Sequence, residues 1–211
     1  MDNNAAITQA LLAIARAEEA LREARSAVNA ISFPAPIKVD VPYRSQHDQD
    51  AQSFTGDCGP ACVAMLLDWN GRDRNVPIDR LAREAGMGAS KNATNANDLR
   101  AIAERHGLVI DRAVGLLLVD LEYQIRCGMP FIALVNYADF GLNRQDTNYN
   151  STHWVVVVGF DAQSVYINDA DYWSGRRLEG KDHPIPRDVF DYAWSNTLPN
   201  GQPRQALIVR V

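Results

Sequence analysis

The longest uninterrupted apolar run in the chain, VVVVGF at 155–160, is the length of a β-strand. It falls far short of the roughly 18–20 residues a helix needs to cross a bilayer, so a helical membrane span is excluded. The run is headed by His153 and Trp154 and followed, after a turn around Asp161–Ser164, by SVYIND. The two stretches read as the strands of a hairpin, which commits this half of the chain to an antiparallel sheet.

Other elements fall into place around that hairpin. IKVDVPY at 37–43 alternates like a short strand. A helix is expected over 59–70, with Pro60 suited to its first turn and Gly71 placed to end it. Further helices are expected at 77–85, where Gly86 follows, and at 95–106, where Gly107 follows. Beyond Gly107 come LVIDRAV as a strand, a helix near 119–127 and PFIALVNY as a strand. A polar loop at 138–152 leads into the hairpin, and the tail offers a helix at 186–196 and a last strand, QALIVRV. Helices first and antiparallel strands later give an α+β fold class. At 211 residues the expectation is one compact domain with room for an appendage.

The appendage is residues 5–31. Ile7, Ile14, Leu21 and Val28 recur every seven residues, with Ala10, Ala17, Ala24 and Ile31 three further on, an a/d heptad pattern with small residues at most d positions. Charged residues take the other faces. Such a helix can lie on its own domain, or serve as a coiled-coil-like self-association or docking helix, since alanine at d lets helices approach closely; both readings stay open. Pro34 and Pro36 end it. The expected division is therefore a heptad helix over 1–33 and a folded domain over 34–211.

Charge and cysteine usage narrow the function. Net charge is -5 with no Lys/Arg block, which gives little support to nucleic-acid binding. Cys58, Cys62 and Cys127 form an odd, sparse set without a CxxC pair, against both a disulfide framework and a structural zinc site. MDNNAAITQ carries no basic segment leading to a cleavage site, so the expected location is cytoplasmic, with phage-type delivery left open.

Chemistry is concentrated at a few positions. Cys58, in TGDCGPACVAMLLDWNG, immediately precedes the expected helix. A thiol there meets unpaired N–H groups and the positive end of the helix dipole, an arrangement that favours a thiolate. On its own the residue is equally a buried structural cysteine. Cys62 reads as core, and Cys127, ending a helix before Gly128, as structural. A thiolate nucleophile needs a base and proton donor held by a third group. His47 and His183 lie in polar loops and His106 closes a helix, whereas His153 opens an apolar strand that has no packing need for a polar ring. Asp169 ends the second strand of the same hairpin, so the two would meet at one end, as opposed partners approach to about 4.5–5.5 Å. Asn168, one residue earlier, points to the other face. An oxyanion needs donors: the Cys58 backbone N–H is one, and Gln46, twelve residues upstream, or Gln52, six upstream, is the candidate for another.

Taken in order, VPYRSQ, DCGPACVAMLL, HWVVVVGFD and VYINDA resemble a papain-like cysteine peptidase, and within that superfamily the bacteriocin-processing (double-glycine leader) peptidases and their broader relatives. DVFDYAW…ALIVRV resembles that family's ending, so the likeness spans roughly 38–211 and excludes the heptad helix. The resemblance implies a papain-like fold, with a helical part carrying the nucleophile and then an antiparallel sheet. It implies Cys58 as nucleophile, His153 as general base and acid, Asp169 as its orienter and Gln46 as the oxyanion donor, with papain's own spacing choosing Gln52 instead. It further implies a thioester acyl-enzyme, a peptide or protein substrate (cell-wall peptide among the variants) and no metal or organic cofactor. Ala170 stands where relatives usually have proline. No transporter segment is present, so export-coupled leader processing is not expected. Two other readings remain: an acyl or amide transferase using the same triad, and a non-catalytic binding module oligomerised by the heptad helix.

Overall fold

In the computed structural model the described residues are 9, 13, 14, 16, 17, 20, 35–141, 151–197 and 201–210. The chain divides into two compact units, Met1–Ala35 and Pro36–Val211. In the first, residues 9, 13, 14, 16, 17 and 20 are helical and exposed; the rest of the expected heptad helix lies outside the described residues. No helix among the described residues is long and apolar enough to cross a membrane.

The second unit is built on an antiparallel sheet. Its strands are β1 (Ile37–Lys38), β2 (Ile110–Ala113), β3 (Phe131–Asn136), β4 (Thr152–Phe160), β5 (Ser164–Asn168), β6 (His183–Pro186) and β7 (Ala206–Val209). The order is β2-β7-β3-β4-β5-β6. β1 continues the β3 edge of β4, pairing Ile37 with Phe160 and Lys38 with Gly159. The expected strand at 37–43 is thus reduced to two residues. The helices are α1 (Cys58–Asn70), α2 (Ile78–Glu84), α3 (Ala96–Arg105), α4 (Leu118–Arg126) and α5 (Arg187–Ser195).

The central strand explains the layering. Trp154, Val156 and Val158 enter one apolar cluster with α1, α2 and α3, while Val155 and Val157 enter a second with α4 and α5. Side chains alternate across a strand, so a continuous VVVV run is what a sheet covered on both faces requires. Helices therefore flank the sheet rather than lying apart from it. α1 is buried along eleven of its thirteen residues, from Cys58 to Asp68. Each fully buried Leu, Val or Met contributes about 1.5–3 kcal/mol relative to exposure, so burial along nearly its whole length anchors α1 in the unit. Gly71 ends it at φ 75°, in the left-handed region.

β6 was not expected. Pro184 and Pro186 argue against a strand, but β6 lies at the edge of the sheet, where a missing N–H leaves no inner ladder bond unmade. His183 accordingly sits on this edge strand and not in a polar loop.

Candidate active site

Cys58 is the first residue of α1, not the residue before it. It is 8% exposed and lines a cleft of about 560 Å³. The glycines around it are required by packing: a Cβ on Gly56 would stand 1.9 Å from the Asn92 carbonyl oxygen, and one on Gly59 would stand 2.3 Å from Thr94 Oγ1. Segment 92–94 therefore presses directly on the turn that presents the sulfur. The Trp154 indole N–H donates to the Thr94 carbonyl at 3.1 Å, and Cys62 donates its thiol to the Trp154 carbonyl at 3.3 Å. Cys62 is fully buried, and burial pushes its thiol pKa well above the ordinary value. It is core, as expected. Cys127 is exposed, contrary to its structural reading, because it caps the C-terminus of α4 outside either apolar cluster.

His153 and Asp169 do come together, though not as directly opposed partners. The register pairs Val156 with Asn168, so the next step places Val155 opposite Asp169 and leaves His153 diagonal to it. A diagonal neighbour is within reach of a long side chain, and His153 Nε2 lies 2.8 Å from Asp169 Oδ1. Cys58 acts on the same ring, its charge and side chain both pushing the His153 pKa up; with Nε2 facing Asp169, Nδ1 is the nitrogen left for the sulfur. Both groups are sealed from water, His153 at 2% exposure and Asp169 at 0%. Burial alone would lower the His153 pKa, but the charges of Cys58 and Asp169 outweigh it and hold the ring well above 6.5. Burial would likewise raise the Asp169 carboxyl. The His153 charge and hydrogen bonds from His153, Tyr137 and the Asp171 N–H outweigh that and lower it.

Sequence reading missed Tyr137. It follows β3, its hydroxyl donates to Asp169 Oδ2 at 2.5 Å, and its ring stacks on the His153 imidazole. As the last letter of PFIALVNY it resembles any strand-end aromatic. Only the β3–β4 register, which pairs Val135 with His153, brings it to the site.

The two glutamines separate. Gln46 is 9% exposed; its backbone N–H donates to the Ala170 carbonyl at 3.0 Å and its Nε2 to Asp171 Oδ1 at 3.2 Å, and among the described residues its buried Oε1 has no partner. It lies against the residues that follow Asp169. Gln52 is exposed and its Nε2 donates to the His47 and Asp48 carbonyls. The Gln46 loop is fixed by Arg44, which pairs with Asp50 and with Asp68 of α1, and by Arg177, which pairs with Asp48. Asn168 works elsewhere, donating to the Val41 carbonyl and accepting from the Asp182 N–H.

The remaining histidines are accounted for without chemistry. His106, expected only to cap a helix, is buried between Asp73 Oδ2 at 2.5 Å and Glu84 Oε2 at 2.9 Å and joins two helices. His47 meets Asp171 Oδ1 at 2.9 Å near the surface. Among the described residues no group of three His, Cys, Asp or Glu side chains could hold a metal ion.

Comparison with known proteins agrees with this architecture. The family described as "Peptidase_C39 like family" matches residues 38–197. A C39-like peptidase from Bacillus anthracis shares the fold with a TM-score of 0.61 at 21% identity, over 84% of this chain and 98% of that one. A double glycine motif protease from an AMS/PCAT transporter, solved with its leader peptide, gives 0.52 at 21% identity over 82% and 96%. The peptidase domain of Streptococcus ComA, a bifunctional ABC transporter of a quorum-sensing pathway, gives 0.53 at 19% identity over 82% and 97%. No curated protein matches the chain.

Proposed function

The chain belongs to the Peptidase_C39 like family, and from that premise we propose that it is a cysteine peptidase that cleaves an amide bond through Cys58, His153 and Asp169. The Cys58 sulfur attacks the scissile carbonyl, and the imidazolium of His153 then protonates the leaving amine. A thioester remains. Water, deprotonated by His153, attacks it and releases the acid, regenerating the thiolate–imidazolium pair. Asp169 fixes the ring orientation and stabilises its positive charge throughout. The Cys58 backbone N–H, at the start of α1, serves the oxyanion. Gln46 supplies the second donor once its amide turns from Asp171.

One observation carries this reading: a buried imidazole bonded to a buried carboxylate and acted on by the side chain of Cys58, which borders an open cleft. A peptide is the favoured substrate because the AMS/PCAT protease of the same fold was solved with a leader peptide bound. The chemistry uses no metal or organic cofactor.

Alkylation tests it. With iodoacetamide at about pH 5.5, where an ordinary thiol is almost wholly protonated, Cys58 is expected to react selectively, with exposed Cys127 as the internal reference. Cys58→Ala abolishes turnover in a chain that still folds, with Tm nearly unchanged at pH values above the His153 titration, where the ring carries no charge. Equal reaction of Cys58 and Cys127 would overturn the assignment.

A further inference from the structure

The cleft beside Cys58 has a lining unlike the rest of the molecule. The whole chain carries 26 acidic against 21 basic residues. Among the described residues, however, the cleft wall holds no carboxylate; apart from Cys58 and Arg112 its polar groups are neutral, such as Thr55, Asn92, Ser151 and Gln202, and its one formal positive charge is the Arg112 guanidinium.

Arg112 lies on the edge strand β2 and is exposed. Its Nε and Nη2 donate to Gln205 Oε1 at 3.0 and 2.7 Å. Gln205 is itself fixed: it is 3% exposed, and its backbone carbonyl accepts from the Leu134 N–H at 3.2 Å and the Trp194 indole N–H at 2.9 Å. The guanidinium is thus anchored by a neutral oxygen that cannot cancel its charge. Arg44, Arg177, Arg187, Arg204 and Arg210, by contrast, each meet a carboxylate. Two of the five N–H donors of Arg112 serve Gln205, and three remain for a ligand. The N-terminus of α3 also borders the cleft, but Asn95 Oδ1 already takes the N–H groups of Asn97 and Asp98, and Asp98 brings a negative charge to that turn. Among the described residues the positive group left to the cleft is Arg112.

We propose that Arg112 is the specificity-determining residue of this cleft, selecting substrates that place a carboxylate in it while the scissile amide lies at Cys58. This rests on the reading of Cys58 as the nucleophile. The carboxylate is the side chain of an acidic residue near the cleaved bond or the terminus of a short peptide. Either meets a planar, pre-oriented donor fork, the geometry in which arginine binds carboxylates most tightly.

Three alkylating probes test this on the full chain without requiring a known substrate. They are N-iodoacetylglutamate α-amide (side-chain carboxylate), N-iodoacetylglutamine (terminal carboxylate) and N-iodoacetylglutamine amide (neutral). Each forms an S–C bond with the thiolate and releases iodide. The readout is the rate at Cys58, normalised to the rate at Cys127. A carboxylate probe is expected to outpace the neutral one about tenfold, the scale of one charge-assisted hydrogen bond at an open site. The faster of the two carboxylate probes identifies the source. Arg112→Gln brings the ratio to about one, Arg112→Glu inverts it, and Arg112→Lys retains part of it. In the unaltered protein, about 0.5 M salt also collapses the ratio, a check that needs no variant. A ratio unaffected by Arg112→Gln or by salt overturns the proposal and leaves the nucleophile standing. If no probe reacts faster at Cys58 than at Cys127, the nucleophile assignment fails and this inference fails with it.

Discussion

The phenol ring of Tyr137 lies almost flat on the imidazole of His153, with ring centroids 4.2 Å apart and planes 16° from parallel. The same side chain reaches past the ring to donate its hydroxyl to Asp169 Oδ2. Tyr137 therefore holds both ends of the His153–Asp169 pair, the ring by stacking and the carboxylate by a hydrogen bond. No part of it borders the cleft described beside Cys58. It is a positioning residue.

Tyr137→Phe keeps the stack and removes the bond. A buried carboxylate that loses one donor loses a charged hydrogen bond, about 1.5–3 kcal/mol. The Asp169 carboxyl is then held down less strongly, so the acid limb of the kcat/KM profile moves to higher pH. Tyr137→Leu removes the stack as well and reduces kcat further at every pH. A pH–rate profile of the Phe variant that overlays the wild type would show that the hydroxyl has no influence on the carboxylate.

The raised His153 pKa has a defined consequence for pH. Its contribution to stability is fully present below 6.5, the unfolded value, and is lost as pH rises through the higher folded value. The lowered Asp169 contributes above 3.8 and is lost as pH falls through its folded value. Because the Cys58 charge is the strongest of the forces raising His153, Cys58→Ala is expected to lower the pH at which the ring titrates. Histidine ring NMR reads this directly. An unchanged titration would mean that no thiolate faces the ring.

Much of this was legible in the sequence because it depends on local pattern. The VVVV run, the Asp161–Ser164 turn and Gly71 gave the hairpin and the end of α1, and the hairpin in turn brought His153 within reach of Asp169. What was not legible is non-local. The β4–β5 register, with its irregularity between Val157 and Gly159, turns an expected opposed pair into a diagonal one. Tyr137 acquires its role only through the pairing of β3 with β4. Spacing left Gln46 and Gln52 undivided, and contacts across more than a hundred residues, from Gln46 to Ala170 and Asp171, separate them. His183 was misplaced because proline disfavours inner strands but not an edge.

Of the readings open for the heptad at 5–31, self-association is directly testable. Ile14, at an a position, is 54% exposed, an apolar surface that a second copy of the helix would cover. Light scattering of the full chain is expected to give a larger mass per particle, relative to chain mass, than a chain beginning at Ala35. Equal values would leave the heptad without a role in assembly.

Asp57 makes the sharpest pH prediction. It precedes Cys58 at the start of α1, is 1% exposed, and makes no side-chain cap to the helix. Among the described residues neither carboxyl oxygen has a hydrogen-bond partner, apart from the proximity of its own backbone N–H. Burial pushes its pKa up to about 7; its own N–H and His47 oppose the rise, while Asp79 and Asp171 add to it. A carboxyl raised in the fold binds its proton there at pH values where the unfolded chain has already released it. Stability therefore falls as pH climbs from 3.8 toward about 7 and then levels, the reverse of a salt-bridged aspartate. Asp57→Asn has nearly the same shape and cannot ionise, so it escapes that fall. The difference in Tm, variant minus wild type, should be smallest near pH 4, grow through neutrality and be flat above about pH 8. A difference that stays constant over that range would show that Asp57 does not titrate in the folded protein as its burial dictates.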